Sequence, residues 1–175
     1  FSEHDALKIN VIGGIINVSA TVGAILLIDR LGRKPLLIIG SLMMTVFLAV
    51  MAIVFAGAQV DSEGRLALTT SQGWTALAAA NLYLVGFGIS WGPVMWVLLG
   101  EMFPNQLRGA ALSIAGLVQW SANFLVTITF PMLLGGIGLG GAYGIYAAFA
   151  LISAWYAWRH VRETRGLTLE QMSAD

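Results

Sequence analysis

Residues 36–58 of this chain carry no charge and almost no polar group, and this run decides which folds the chain can adopt. A helix of this length crosses the roughly 30 Å hydrocarbon core of a membrane. Comparable runs lie at about 9–28, 75–100, 109–134 and 142–158. Hydrophobic residues make up 58% of the chain and charged residues 10%, whereas soluble domains carry roughly a quarter charged residues. We therefore predict an all-α integral membrane protein, with five transmembrane helices in residues 1–158 and a polar tail at 159–175.

The residue types that carry most catalytic chemistry are scarce in this sequence. It has no cysteine, and its two histidines, His4 and His160, lie at the ends of hydrophobic runs. A zinc site, a reactive thiol or a Ser-His-Asp triad therefore has no basis. We predict that the chain is not an enzyme, binds no metal or cofactor, and has no nucleic-acid partner. Because it lacks an initiating Met and a readable signal peptide, we expect the C-terminal part of a longer protein.

Positive charge is distributed unevenly between the two ends of the predicted helices. The loop at 28–35 has three cations, the loop at 101–108 has one and the tail from Arg159 has three, against Lys8 and Arg65 on the opposite side. Loops rich in Lys and Arg stay in the cytoplasm. We therefore expect a multi-pass protein of the cell membrane with these loops and the C-terminus in the cytoplasm.

The third run contains the helix that is easiest to break. Residues 86–109 read GFGISWGPVMWVLLGEMFPNQLRG. Pro93 lacks the backbone N–H that would continue the helix, and Gly92 before it weakens the helix further. We predict that the helix bends at Gly92 and Pro93, inside the membrane.

Several polar side chains lie within the apolar runs, at depths where water is absent. Asn17 lies in the first run, and the fourth run is the most polar, with Gln119 and Asn123 near one helical face. A polar group in a membrane finds a partner or faces a wet cavity. We therefore expect the polar stripe of the fourth run to be buried in the bundle. For Asn17, an interhelical hydrogen bond and a cavity-facing role stay open.

Three other segments lead to simpler expectations. The run at 36–58 lacks polar residues at mid-depth, which favours a peripheral, lipid-facing helix. Residues 59–73 form a polar connection that carries Asp61, Glu63 and Arg65, and residues 135–141, GGIGLGG, are typical of a short uncharged turn.

Charges of both signs meet at the predicted cytoplasmic ends of the helices. Asp29, Arg30 and Arg33 follow the first run, and Glu101 and Arg108 follow the third. Acids and guanidinium groups on one face can pair in one conformation and separate in another. Each exposed pair contributes about 0–1 kcal/mol, so that several together can bias a two-state equilibrium. The alternative is that these charges only fix the topology.

Three charged motifs and one aromatic motif resemble a known family. DRLGRK at 29–34, EMFPNQLRG at 101–109 and RETRG at 162–166 follow the first, third and fifth runs, and SWGPVMW at 90–96 lies between them. Their order and spacing resemble helices eight to twelve of the sugar porter family of the major facilitator superfamily. The resemblance implies that Asn17, Trp96, Gln119 and Trp120 contact sugar, and that the charged residues, joined by Glu163, close the cytoplasmic side in the outward-facing state.

The chemistry of these residue types fits a neutral polyol. Amides donate and accept hydrogen bonds together, and an indole offers a flat surface to the C–H side of a sugar ring. Asn17, Gln119 and Asn123 would supply the amides, and Trp96 and Trp120 the indoles. The alternative for both tryptophans is an interfacial or packing role.

Position 162 departs from the family pattern, and position 88 bears on how transport is coupled. Position 162 is Arg where the family commonly has Pro, so the last turn need not follow the family. Gly88 stands where facilitative animal carriers have an acid, as in proton-coupled members, which favours symport with the proton as coupling ion. The coupling mode stays open, because the spans of this chain contain no carboxylate that could carry the proton.

The resulting hypothesis is a monosaccharide transporter that works by alternating access. Its partners would be a hexose or pentose, the lipid bilayer and the N-terminal helices of the same transporter. The alternatives are a transporter of another small polyol or organic solute, a transporter-derived sugar sensor, and a truncated product without function.

Overall fold

The computed structural model describes residues 3–60 and 66–166, with side chains described for 9–59 and 66–166. Its helices are α1 (Glu3–Leu31), α2 (Arg33–Ala56), α3 (Thr70–Gly88), α4 (Val94–Met102) and α5 (Asn105–His160). Two short antiparallel strands, β1 (Gln59–Val60) and β2 (Leu66–Ala67), connect α2 to α3. The acidic and basic residues predicted for this connection, Asp61, Glu63 and Arg65, lie outside the described residues, as do the side chain of Lys8 and residues 167–175 of the tail.

Local sequence explains where most helices begin and end. Gly32 has φ 94° and separates α1 from α2, a conformation that a residue with a Cβ rarely adopts. The side chain of Thr69 accepts a hydrogen bond from the backbone N–H of Gln72, and the side chain of Gln72 accepts one from the backbone N–H of Thr69. This capping box starts α3.

In the part of the chain that the structure describes, three helical segments are long and apolar enough to cross a membrane, namely Ile9–Leu31, Arg33–Ala56 and Asn105–His160. The predicted third span covers α3, α4 and the non-helical residues between them. The 56 residues of α5 are nearly three times the roughly 20 that one crossing needs. Gly138, with φ 72° and ψ 174°, divides α5 into two helical segments.

Within the glycine-rich residues 135–141, where a short turn was predicted, the helix is broken at Gly138 alone, and the residues on both sides of it are helical. The reason is packing. A Cβ on Gly140 would lie 2.7 Å from the backbone nitrogen of Ala56, so this glycine allows α5 to lie directly against α2. The contact outweighs the low helix propensity of glycine.

Helix α2 lies at the centre of the described bundle and packs against the four other helices. Its buried side chains form one stripe that includes Leu36, Leu37, Met44 and Leu48, whereas Val46 and Ile53 on the opposite side are exposed. The expectation of a peripheral, lipid-facing helix is therefore correct for one side only. Lipid and protein interior select similar apolar residues, so the sequence alone did not distinguish the two sides.

Candidate functional site

The third span is interrupted for five residues, and this break forms the centre of the candidate site. Helix α3 ends at Gly88 and α4 begins at Val94. Between them the Gly92 N–H donates to the Phe87 carbonyl at 3.0 Å, five residues back, and the Val94 N–H donates to the Ser90 carbonyl at 2.8 Å. Gly92 and Pro93 thus lie in a non-helical segment, where backbone groups are free to turn toward a cavity.

Buried hydrogen bonds tie this break to two other helices. Trp91 Nε1 donates to Ser41 Oγ of α2 at 2.6 Å, and Ser153 Oγ of α5 donates to the same oxygen at 3.1 Å. Ser41 is fully buried. Sequence analysis missed this cluster. The signal was a hydroxyl in an otherwise apolar run, which in a membrane needs a partner.

Gln119 and Asn123 come together on α5, beside the break. Both line a cavity of about 420 Å³ that also contacts Phe87, Trp91 and Met95. The Oε1 atom of Gln119 is buried and has no hydrogen-bond partner among the residues that the structure describes. An unpaired buried amide oxygen is available to a hydroxyl donor.

A second, adjoining cavity of about 530 Å³ lies between α2, α3 and α5. Asn123 lines this cavity as well, together with Tyr83, Tyr143 and Tyr146. The hydroxyl of Tyr146 is buried and unpaired within the described part of the chain. Asn123 therefore joins two cavities, one lined by Gln119 and one by tyrosines.

The two predicted site tryptophans have different surroundings. Trp96 on α4 is half-buried, and its ring tip lies 3.9 Å from the position that a Cβ on Gly116 of α5 would occupy. Trp120 is 72% exposed. Because neighbouring residues point about 100° apart on a helix, Trp120 does not share the Gln119 cavity.

The expectation that the polar stripe of α5 is buried is not met within this chain. Asn123 is exposed apart from its cavity contacts, and the first segment of α5 packs on one side only. Three other polar residues of the stripe are satisfied locally, because each hydroxyl donates to a carbonyl four residues back in its own helix; these are Ser113, Thr127 and Thr129. The amides of Gln119 and Asn123 donate to no such carbonyl in the described part of the chain and retain hydrogen-bonding groups for a ligand.

Asn17 lies at a different place, in a groove of about 330 Å³ between α1 and α3. Its Oδ1 would lie 3.2 Å from a Cβ on Gly88, and that Cβ would lie 2.8 Å from the Cβ of Ala20. Gly88 therefore allows α1 and α3 to approach closely, and an acidic side chain would not fit there. Asn81, which sequence analysis missed, lines the same groove.

At the other end of the bundle, Arg33 and Glu101 form a bidentate ion pair. Arg33 Nε donates to Glu101 Oε2 at 3.0 Å, and Nη2 donates to Oε1 at 2.5 Å. Arg33 also donates to Asp29 Oδ1 at 3.2 Å, and Thr164 Oγ1 donates to Glu101 Oε2 at 2.6 Å. The side chain of Arg33 is 11% exposed and that of Glu101 is 26% exposed, so solvent screens this pair less than a surface pair.

At the same end of the bundle, Glu163 binds the backbone at the start of α2. Its carboxylate accepts from the N–H groups of Arg33 and Lys34 at 2.9 and 3.0 Å. These are unpaired donors at the start of α2, so Glu163 caps this helix from a distant part of the chain. Gly32 makes room for it, because a Cβ there would lie 2.5 Å from Glu163 Oε2.

Two residues of the predicted charge network do not pair with an acid. Arg108 donates to the carbonyl of Phe103 at 3.5 Å, and its Nε is buried without a partner within the described residues. Arg30 is exposed and forms no ion pair with any residue whose side chain is described. Arg30 lies in the last turn of α1 and Arg108 in the first turn of α5, where the sequence fixes the position of the backbone but not the direction of a long side chain.

A bundle of apolar helices with an interrupted span, unpaired amides beside it and an ion-paired end defines a multi-pass membrane protein with a polar site inside. Residues 1–175 match the family model described as "Sugar (and other) transporter". The chain belongs to this family, and its resemblance to the sugar porters is confirmed. Members of the family are transporters rather than enzymes.

Named relatives and solved structures agree with the family. The chain is 54% identical to the glucose transport protein of Synechocystis over 98% of its length, and 41% identical to the D-xylose-proton symporter of Escherichia coli K12 over 99%. The structure of the proton:xylose symporter XylE bound to 6-bromo-6-deoxy-D-glucose matches with a TM-score of 0.82 at 39% identity, over 99% of this chain and 35% of that one.

An inward-open structure of the E. coli xylose transporter XylE also matches, with a TM-score of 0.82 at 40% identity, over 97% of this chain and 36% of that one. The fold is therefore the all-α membrane fold of the major facilitator superfamily. The chain spans 36% of the Synechocystis relative and 34% of the E. coli relative.

Proposed function

We propose that this chain is the C-terminal portion of a secondary transporter that moves a monosaccharide, a hexose or pentose, across the cell membrane. The observation that carries the proposal is the interrupted third span, which lies beside the unpaired amide of Gln119 in a family of sugar transporters. Relatives named as a glucose transport protein and a D-xylose-proton symporter support this substrate class.

In this proposal the sugar is held by amides and indoles. Gln119 and Asn123 supply hydrogen bonds from α5, Asn17 supplies one from α1, and Trp96 offers a flat ring surface. Each group is uncharged, which suits a ligand that carries only hydroxyl groups. The break at Gly92 and Pro93 allows α4 to move relative to α3 when the sugar binds.

The charge network provides the conformational switch. Arg33, Glu101, Asp29 and Glu163 hold the ends of α1, α2, α4 and α5 together in this structure. Alternating access requires that this end opens to release the sugar. Arg30 and Arg108 form no ion pair here within the described residues, and in the opened state they are available to the acids that this structure pairs with Arg33.

The topology follows from the distribution of positive charge. The loops that contain Arg33 and Arg108, and the tail that contains Arg159, lie in the cytoplasm. The N-terminal ends of α1 and α3 consequently face the outside. The remaining helices of the transporter and the bilayer cover the exposed apolar surfaces of α1 and α5.

In this proposal transport is coupled to protons, as in the D-xylose-proton symporter of E. coli. The apolar spans of this chain contain no Asp or Glu. The carboxylate that carries the proton therefore belongs to another part of the transporter. No cofactor is needed, because the proton gradient drives the cycle.

The test is uptake of radiolabelled glucose and xylose by transporter-deficient cells that express the full reading frame, with and without a protonophore. We expect saturable uptake of at least one sugar that the protonophore abolishes. Uptake that persists down its own gradient would replace symport with uniport. If neither sugar is taken up, the monosaccharide proposal is wrong.

A second candidate is transport of another small polyol or organic solute. Amides and indoles recognise hydroxyls and C–H surfaces without specifying one sugar, and the family description itself includes other solutes. Competition of uptake by hexoses, pentoses, inositol and an organic acid separates the two. A transporter-derived sensor would bind sugar but show no uptake.

A further inference from the structure

The groove between α1 and α3 extends beyond Asn17 toward the N-terminal ends of both helices. Besides Asn17 it is lined by two other amides, Asn10 and Asn81, and by the glycines Gly13 and Gly14. Asn10 precedes Asn17 by two helical turns, about 10 Å along the same face of α1. The groove therefore carries a row of amides that leads away from the candidate sugar site.

Asn81 has a free acceptor that faces α1. Its Nδ2 donates to the carbonyl of Leu77 in its own helix at 2.8 Å. Its Oδ1 lies 3.9 Å from the position that a Cβ on Gly13 would occupy, so the oxygen is directed across the groove. No hydrogen bond to this oxygen occurs among the described residues. A hydroxyl donor in the groove would satisfy it.

The shape and composition of the groove suit one sugar ring. No heavy atom lies within 4 Å of a Cβ position on Gly14, which leaves space beside the amides. The volume of about 330 Å³ is at the lower end of small-molecule sites, which occupy about 300–1,000 Å³. Leu77 and Leu84 supply apolar contacts, and none of the described side chains that line the groove is charged. These properties favour a neutral polyol over an ion or a carboxylate.

We infer that Asn10 and Asn81 form a second sugar subsite, in which the substrate binds from the outside before it reaches Asn17. This inference rests on the proposed function, because it assigns the groove to the same monosaccharide. The subsite raises the local concentration of sugar next to the central site and sets the affinity for external substrate.

The experiment measures initial rates of glucose and xylose uptake by the full-length transporter. Asn81→Leu removes the free acceptor, and we expect the KM for external sugar to rise about fivefold, as for loss of one hydrogen bond, with Vmax within twofold of wild type. Asn81→Gln keeps an amide and should restore most of the affinity. Asn10→Leu should raise the KM in the same direction.

Gly14→Leu tests the same subsite by filling it. A Cβ on Gly14 meets no heavy atom within 4 Å among the described residues, so we expect a KM increase at unchanged amounts of protein at the cell surface. Gly23→Leu is the matched control, because Gly23 lies on the same helix with equally open space and does not line the groove. We expect its KM to remain that of wild type.

The outcomes separate the subsite from the proposed function. A wild-type protein that takes up sugar, with unchanged KM in both Asn81→Leu and Gly14→Leu, overturns the subsite alone. If Asn81→Leu and Asn81→Gln lower Vmax equally and leave KM unchanged, Asn81 has a structural role, and the subsite proposal is also wrong. A wild-type protein that takes up neither sugar overturns both proposals.

Discussion

Replacing Gly32 by Ala should destabilise the protein by two separate mechanisms. The first is backbone strain, because φ 94° and ψ 166° lie in a region that almost only glycine occupies. Holding an alanine in this conformation costs about 1–3 kcal/mol. The second is displacement of Glu163, whose Oε2 lies 2.5 Å from the new Cβ. Loss of the two hydrogen bonds to the start of α2 costs about 2 kcal/mol. We expect a total of about 3–5 kcal/mol.

The assay is a double-mutant cycle on the purified full-length transporter in mixed micelles. The free energy of unfolding is measured by denaturant titration with tryptophan fluorescence for Gly32→Ala, Glu163→Ala and the double variant. We expect a coupling of about 2 kcal/mol, because Gly32→Ala should leave only the strain once Glu163 is absent. Gly166→Ala is the control, since Gly166 has φ 77° and no neighbour within 4 Å of its Cβ position. A coupling below about 0.5 kcal/mol would refute the reasoning.

Three further predictions concern the site and the packing around it. Trp96→Ala and Gln119→Ala should each raise the apparent sugar KM at least about fivefold in uptake assays, and unchanged values would remove both residues from the site. Glu101→Gln should slow uptake while equilibrium sugar binding stays within about twofold, because it weakens the pair with Arg33; loss of binding would instead indicate a folding role. Gly40→Ala should destabilise by about 1–3 kcal/mol in denaturant titration, since its Cβ would overlap Ser90 and lie 2.6 Å from the Gly86 carbonyl.

The sequence predicted the class of fold because apolar runs of membrane length have few alternatives. It also predicted which charged segments meet, since loops at one end of a bundle are neighbours. It could not predict which charges pair. Arg33 reaches Glu101, whereas Arg108 turns back to the carbonyl of Phe103. Such choices depend on side-chain directions that no spacing rule encodes.

For the candidate site, the sequence predicted the types of residue better than it predicted which of them lie together. Gln119 was expected to lie inside the bundle and to contact sugar, and the structure adds that its Oε1 has no hydrogen-bond partner among the described residues. Trp120 was expected to contact sugar as well, but its side chain is exposed although it follows Gln119 directly in the sequence. Asn81 was missed although the rule that singled out Asn17, that a polar side chain in an apolar run needs a partner or a wet cavity, also applies to it. Its role becomes visible only in the structure, where it lies in one groove with Gly13 and Asn17 of α1.

The contacts of the tail have a practical consequence for reporter fusions. Thr164 is 5% exposed and binds Glu101, and Glu163 caps α2, so the residues after Trp158 complete the bundle. A fluorescent protein or affinity tag joined directly behind Trp158 would replace both contacts and release the start of α2. A fusion placed beyond Gly166 keeps both contacts. A difference in signal between the two fusions would therefore report how much protein folds rather than how much is expressed.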